Sequence, residues 1–389
     1  MRLRRCVVLS SQERKDDHDA GPCADICPVY KAKHTESALL RGKFLQLLGL
    51  IRGELKWSKA LKASLDECLG CEKCKPQCPS GLSAPEIFEK IKYENLSGFE
   101  KFLYGKFVLK IKIFILKVFY RVKHPVKSIV SGKKHDVVKF DKNIVHFNGC
   151  LSKCINTEFQ LPFAFKEGGF ECCGIPYKTK GNLDEYRDTA DRNIQKIETT
   201  DGLIVFNCAT CLYAVRSYVF NIPETKDRLV FYTSLYKEFL KTHKITCKKP
   251  VTVTFHHPCH LKSAGIELSD VEEILNSIEN INYKRLQNPD ECCGFGGDYF
   301  TRHPRTADVL STRKIDDVIN SGAQIVLTAC PTCLWSLKYG LKKRHIRKIK
   351  AYDLAEFLYS LDFTEKINRE AIKKTDEKEC EKGSAPCGI

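Results

Sequence analysis

Apolar residues recur at helical spacing through the first hundred positions. The stretch TESALLRGKFLQLLGLIRG (35–53) places them about every three to four residues, which predicts an amphipathic helix. SAPEIFEKI (83–91) opens with Ser83 and Glu86 at the separation of a capping box, so a second helix is expected there. Beyond residue 140 the rhythm changes to short β-branched runs alternating with helical stretches such as RDTADRNIQKI (187–197) and TADVLSTRKIDDVI (306–319). That alternation predicts parallel strands joined by helices.

The second half also repeats itself. IVHFNGC (144–150) answers VTVTFHHPC (251–259), and CCGIPY (172–177) answers CCGFGG (292–297). GLIVFNCATCLYAVRSYV (202–219) answers AQIVLTACPTCLWSLKYGL (323–341), each a strand, a C-x2-C step and a helix. The offset is 109 residues at Cys150 and Cys259 but 120 at the paired cysteines, so the first copy lacks about a dozen residues between Cys150 and Cys172. Two small α/β units are expected, with cysteines gathered at the carboxyl ends of the strands.

Between the two parts, residues 101–125 mix large apolar side chains with lysine. At about 100° per residue, Lys106, Lys110, Lys117 and Arg121 share one face, while Lys101, Lys112 and Lys123 lie nearly opposite. Such a connector either packs between domains or against a subunit, with its lysines solvated, or rests on an anionic membrane surface.

Composition sharpens the chemistry. The chain has 389 residues, 43% hydrophobic, enough for two or three domains. It carries 21 cysteines, yet MRLRRCVVLSSQERKDD at its start has no apolar core long enough for an export signal. The longest uncharged run, 321–337, contains Pro331 and two cysteines and does not read as a membrane span. Thiolates on metal in a reducing cytoplasm are expected rather than a disulfide framework. The net charge of +16 raises nucleic acid as a partner, but residues 101–135 alone hold ten Lys/Arg and no acid. Each cysteine-ligated 4Fe–4S cluster would add about −2 when oxidised, so the basic excess is read as partly a counterion to cofactors and no nucleic acid is expected.

CLGCEKCKPQCP (68–79) is C-x2-C-x2-C-x3-C-P, the spacing with which three thiolates wrap a cubane while the fourth reaches another cluster. Its partner CADICP (23–28) keeps only C-x3-C-P, with Asp17 and Ala20 where cysteines are expected. Crossed ligation then assigns Cys27, Cys68, Cys71 and Cys74 to one 4Fe–4S cubane. Cys23 and Cys78 remain for a second site, which Cys6 or His18 could complete, or which is altered or empty. Each repeat gathers five thiols: Cys150, Cys172, Cys173, Cys208 and Cys211, then Cys259, Cys292, Cys293, Cys330 and Cys333. Adjacent cysteines, about 3.8 Å apart at Cα, fall short of the roughly 4.4–6.8 Å of a disulfide. Five thiols over-determine one zinc or one cubane, and a distorted multi-iron centre fits the count. Gly174 and Gly294 would allow close backbone approach, with positive φ where needed.

These motifs resemble the cysteine-rich CCG domain, present twice in the catalytic B-type chain of heterodisulfide reductase. With the helical ferredoxin module in front, residues 15–362 look like the fused D-type chain of that reductase. They are also similar to the iron–sulfur subunits of glycolate oxidase, lactate-utilisation and anaerobic glycerol-3-phosphate dehydrogenase complexes. The resemblance implies a noncubane 4Fe–4S cluster on each five-cysteine set and a disulfide split in two one-electron steps. It implies a partner in a larger oxidoreductase complex, a flavoprotein among the candidates, since no flavin or nucleotide fingerprint is visible here. The alternative is a relay from a hydroxy-acid or glycerol-phosphate dehydrogenase toward quinone; an iron–sulfur sensor is a third reading. The expected architecture is multidomain α and α/β: a helical 4Fe–4S ferredoxin-like domain (1–98), a basic connector (99–140), two pseudo-symmetric CCG domains (141–248 and 249–362) and a polar tail (363–389) expected to be disordered. The location implied is cytoplasmic, with the connector as a candidate for peripheral contact with the membrane.

Beside the incomplete CADICP motif, two departures stand out. The first repeat is short, and nearby Cys154 could compete as a ligand. HHPCH (256–260) carries His257 where the resemblance implies Asp. His260 is read as a proton donor to a departing thiolate or as a hydrogen-bond donor to cluster sulfur. Cys247, Cys380 and Cys387 are read as ordinary thiols, and Trp57 and Trp335 as packing residues.

Overall fold

The computed structural model describes residues 22–78, 81–123, 135–155, 159–219, 222–297 and 299–365. Cys6, His18, Cys380 and Cys387 lie outside them, as does the side chain of Cys154.

The N-terminal part is helical, with helices Pro22–Ile26, Pro28–Lys33, Leu40–Ile51, Lys59–Asp66 and Ala84–Glu94. Leu40, Phe44, Leu47, Leu61, Leu65 and Phe88 make its core, and Phe44 meets Phe88 edge to face at 5.9 Å. Truncating a buried Phe such as Phe44 costs about 3–5 kcal/mol. The capping box expected at Ser83 is not made. Ser83 stands at the N-cap of Ala84–Glu94, but its hydroxyl donates to Glu72 Oε1 at 3.0 Å instead. The box forms one helix later, between Ser97 and Glu100.

The helix Lys106–Lys123 follows. Ile113 turns inward against a core cluster, while Phe107, Ile111, Phe114 and Ile115 point outward and are exposed. The outward face is therefore apolar, with Lys110 and Lys112 exposed beside it. Lys110 and Lys112, which blur the pattern in sequence, border this stripe on its two sides.

Two sheets make the rest. The first has the order β2-β1-β3-β4, from Lys166–Glu167, Ile144–Phe147, Leu203–Phe206 and Leu229–Phe231. The second has the order β6-β5-β7-β8, from Glu279–Tyr283, His243–His256, Ile325–Thr328 and Lys350–Asp353. All these neighbours pair in parallel, and β9 (Asp362–Glu365) adds an antiparallel edge along the start of β5. The central strands read LIVF and IVLT and are almost wholly buried, as parallel strands covered on both faces should be. β5 runs through residues 248 and 249, where the sequence pattern divides the two units. Pro250 lies in the stretch where its pairing with β6 shifts register, since proline has no N–H to give a ladder.

Candidate metal centres

The loop after Lys59–Asp66 carries Cys68, Cys71 and Cys74 around two left-handed residues, Gly70 (φ 66°) and Glu72 (φ 57°). Glycine takes that conformation without cost, and Glu72 is held in it while its buried carboxylate accepts from Ser83. The turn points the three thiols into a cavity that Cys27 enters from the start of Pro28–Lys33, lined also by Val29, Leu40 and Phe88. The structure thus brings together the four residues expected to act together. Burial, then Cys68, Cys27 and Cys23, pushes the Cys74 thiol up to about 12. Lys43, nearly fully buried beside them, donates to the carbonyls of Ser37 (2.7 Å) and Ser64 (2.6 Å).

Cys23 and Cys78 stay outside that cavity lining. Burial raises the Cys23 thiol, and Cys78 and Cys27 add to this. The charged neighbours there are Arg41, buried, and Glu36, joined by two hydrogen bonds of 2.7 and 2.9 Å. Among the described residues this second place therefore offers two thiols and an ion pair.

In the first α/β unit, Cys150 follows β1, Cys208 caps the helix Ala209–Tyr218 after β3, and Cys211 lies one turn on. Cys150 and Cys172 approach to 3.4 Å between sulfurs. Cys150, Cys173 and Cys208 all act on one another's charge, so the five thiols share one pocket of protein. In the second unit Cys330 caps Pro331–Lys343 in the same way, and Cys293 lies 3.3 Å from Cys333. The N–H of Gly294 donates to Cys292 Sγ at 3.4 Å. In both sets the first of the adjacent pair is held low: Cys172 by hydrogen bonds with Cys150 and Cys173, Cys292 by those with Cys259 and Cys293. Cys211 and Cys333 are pushed up by the neighbouring thiols and by burial. Thiols buried together in this way give up their remaining protons when a cation binds among them, and such donor sets suit a multi-iron group.

Gly174 (φ 85°) and Gly294 (φ 80°) both need the left-handed region. The approach they permit is to protein. A Cβ on Gly174 would sit 2.7 Å from the Tyr186 ring, and one on Gly294 would sit 2.8 Å from Leu310 Cβ. The position that crowds a thiol is Gly149, which no motif marks: a Cβ there would lie 2.8 Å from Cys211 Sγ.

The two units meet at their cysteines. The N–H of Ala209 donates to the Ala329 carbonyl at 3.2 Å, and the side chains of Cys208 and Cys330 interact directly. His260, next to Cys259, ties three parts together. Its Nε2 donates to the Gly70 carbonyl (3.2 Å), its Nδ1 pairs with Thr210 Oγ1 (2.9 Å), and its ring stacks on Tyr213 at 4.8 Å. Since a carbonyl only accepts, Nε2 carries the proton, and in the neutral ring Nδ1 accepts from Thr210. Lys73 and Lys262 both bond Asp290, at 3.2 and 3.1 Å. Burial alone would raise that carboxyl; the two lysines bring it down to about 2. The Cys68–Cys74 loop is thereby fastened to the second set, and Cys71 feels the charge of Cys292 as Cys259 feels that of Cys71. Cys247 lies within β5, while Trp57 and Trp335 pack, Trp335 against Phe300 at 4.6 Å.

The 4Fe–4S dicluster domain matches residues 18–82, and the cysteine-rich CCG domain matches residues 156–216 and 253–338. Cys150 falls just before the first of these. A fumarate reductase (CoM/CoB) subunit of Methanothermobacter marburgensis is 27% identical over 317 residues, spanning 75% of this chain and 60% of that protein's length. The probable glycolate oxidase iron–sulfur subunit of Bacillus subtilis is 21% identical over 425 residues, 89% of this chain and 95% of that one. A subunit of the dihydromethanophenazine:CoB–CoM heterodisulfide reductase of Methanosarcina barkeri is 25% identical over 368 residues, 82% and 87% of the two chains. With a 4Fe–4S dicluster domain ahead of two cysteine-rich domains, the chain belongs to the CCG-domain iron–sulfur proteins.

Proposed function

We propose that the chain carries electrons between a cubane held by Cys27, Cys68, Cys71 and Cys74 and two noncubane clusters held by the pseudo-symmetric five-cysteine sets, where a small disulfide or thiol pair reacts. The observation that carries this reading is the fastening of the Cys68–Cys74 loop to the second set through His260, Lys73 and Asp290. It sets Cys71 beside Cys259 and Cys292, so an electron need cross little protein to pass between the two centres. The Cys208–Cys330 contact continues the same route into the first set. When bound, the clusters supply single electrons at separate potentials. Cleaving one disulfide consumes two electrons and two protons and yields two thiols.

The protein's own part is to hold and insulate. Buried Lys43 offers positive charge beside the cubane thiolates, and Phe88 and Leu40 keep water from them. His260 acts as a positioning residue, because both ring nitrogens and one ring face are already engaged. Cys23 and Cys78 form an altered site, with the Arg41–Glu36 pair nearby.

A second reading has its own observation. The apolar outer face of Lys106–Lys123, bordered by lysines, suits an anionic membrane surface at which the chain relays electrons from a flavoprotein dehydrogenase toward quinone. No helix among the described residues is long and apolar enough to cross a membrane, so the contact would be peripheral. EPR of the oxidised, anaerobically purified chain separates the two. A new cluster signal on adding a thiol supports substrate chemistry at the cysteine-rich sites. No thiol response, together with constant co-purification of a flavoprotein, supports the relay.

A further inference from the structure

The two cysteine-rich sites are not equivalent, and the difference lies at the ends of their central strands. The last residue of β1 is Phe147, in register with Phe206 on β3. The last residue of β5 is His256, in register with Thr328 on β7. Each central strand ends three residues before the first cysteine of its set, so Phe147 and His256 hold the same place in the two units. One site is closed there by two aromatic rings, stacked at 4.9 Å. The other is closed by an imidazole and a hydroxyl.

The imidazole is buried, 1% exposed, and neither of its ring nitrogens has a hydrogen-bond partner. Its two neighbouring histidines do not share this condition: His257 Nε2 meets the Ile266 carbonyl at 3.0 Å, and His260 is engaged at both nitrogens. A buried polar group without a partner is costly, about 1–3 kcal/mol, and such groups point to something that completes them. What stands in front of His256 is a pair of thiols. One ring nitrogen and the Sγ atoms of Cys293 and Cys333 all lie within 4.8 Å of one another, the span of ligands around a single ion. Imidazole suits iron as thiolate does, and mixed nitrogen–sulfur ligation is established chemistry for iron–sulfur centres.

We propose that His256 is a sixth protein ligand of the second cysteine-rich site, binding through a ring nitrogen the iron that Cys293 and Cys333 share. The first site, with Phe147 in its place, has thiolate ligands alone. The two sites therefore differ in ligand set, nitrogen and sulfur at the second against sulfur alone at the first. This inference rests on the reading that the second five-cysteine set holds an iron–sulfur cluster.

The test is pulsed EPR on the reduced full-length chain, prepared anaerobically with natural-abundance histidine and again with 15N-histidine. A strong nitrogen coupling that changes with the label is expected, and it should vanish in His256→Phe, which copies the first site. A cluster signal with no strongly coupled histidine nitrogen overturns the inference, as does a coupling that survives His256→Phe. Should His256→Phe not fold, His256→Cys, which keeps a ligand there, is measured in its place, and the histidine coupling should vanish in it as well. Iron content of Cys292→Ser and Cys333→Ser tests the underlying reading separately: no loss of iron in either means the second set holds no cluster, and both statements fall together.

Discussion

His260 Nε2 donates to the carbonyl oxygen of Gly70 across 3.2 Å, although 190 residues separate the two in sequence. One imidazole thus joins the loop of the N-terminal cysteines to the strand end that carries Cys259. His260→Ala removes two hydrogen bonds and a ring stack, each worth about 1 kcal/mol, and should lower the unfolding free energy by about 3 kcal/mol. In a urea titration His260→Ala and Tyr213→Ala should be non-additive, because they remove the same stack. Additive effects would mean that the histidine acts independently of Tyr213.

Glu89 predicts a pH dependence. Burial raises its carboxyl to about 7 from 4.5, against the pull of Lys178 and Lys92. Its nearest cation contact, Lys178 Nζ, is 3.7 Å away. Between pH 4.5 and about 7 the unfolded chain releases this proton while the folded chain keeps it. The stabilisation is whole below pH 4.5 and is lost as pH rises through about 7. Glu89→Gln should remove this decline and be more stable than the parent at pH 8, with the advantage gone in mildly acid solution. Parallel stability curves for the two proteins would contradict the assignment.

Much of this was legible in the residues. The C-x2-C-x2-C-x3-C spacing and the C-x3-C-P fragment were enough to group Cys27 with Cys68, Cys71 and Cys74, because the thiols of a cluster leave a rigid record in spacing. The repeated strand–cysteine–helix pattern likewise foretold two sheets with cysteines at strand ends. What could not be read was distance between modules. Nothing in HHPCH says that His260 reaches a carbonyl far back in the chain, or that His256 is left without a partner while His257 is not. Ser83 misled because its hydroxyl found a buried carboxylate, a partner local spacing cannot display. Gly174 and Gly294 were read toward the cofactor, but their missing side chains make room for Tyr186 and Leu310.

The connector helix makes a lipid prediction. Its outward Phe107 and Phe114 should enter the boundary of an anionic bilayer while the lysines beside them meet headgroups. In flotation with phosphatidylserine-containing vesicles the parent should associate at low salt and release as salt rises, and phosphatidylcholine alone should bind it weakly. Phe107→Glu with Phe114→Glu should abolish association. Equal binding by parent and variant would remove the helix from the contact.

The N-terminal cysteines divide into two classes by position. Cys27→Ala and Cys71→Ala should each lower iron by about 4 atoms per chain with loss of the cubane signal. Cys23→Ala should leave iron unchanged, since Cys23 lies outside the cavity that the other four line. A drop of about 4 in Cys23→Ala as well would show a second complete cluster in this domain.

Iron and acid-labile sulfide per chain, measured on anaerobically purified protein, test the central claim most directly. One cubane and two cysteine-rich sites with clusters predict about 12 of each. About 4 of each would mean that the ten cysteines of the two repeats hold no cluster, and the electron route drawn through them would not exist.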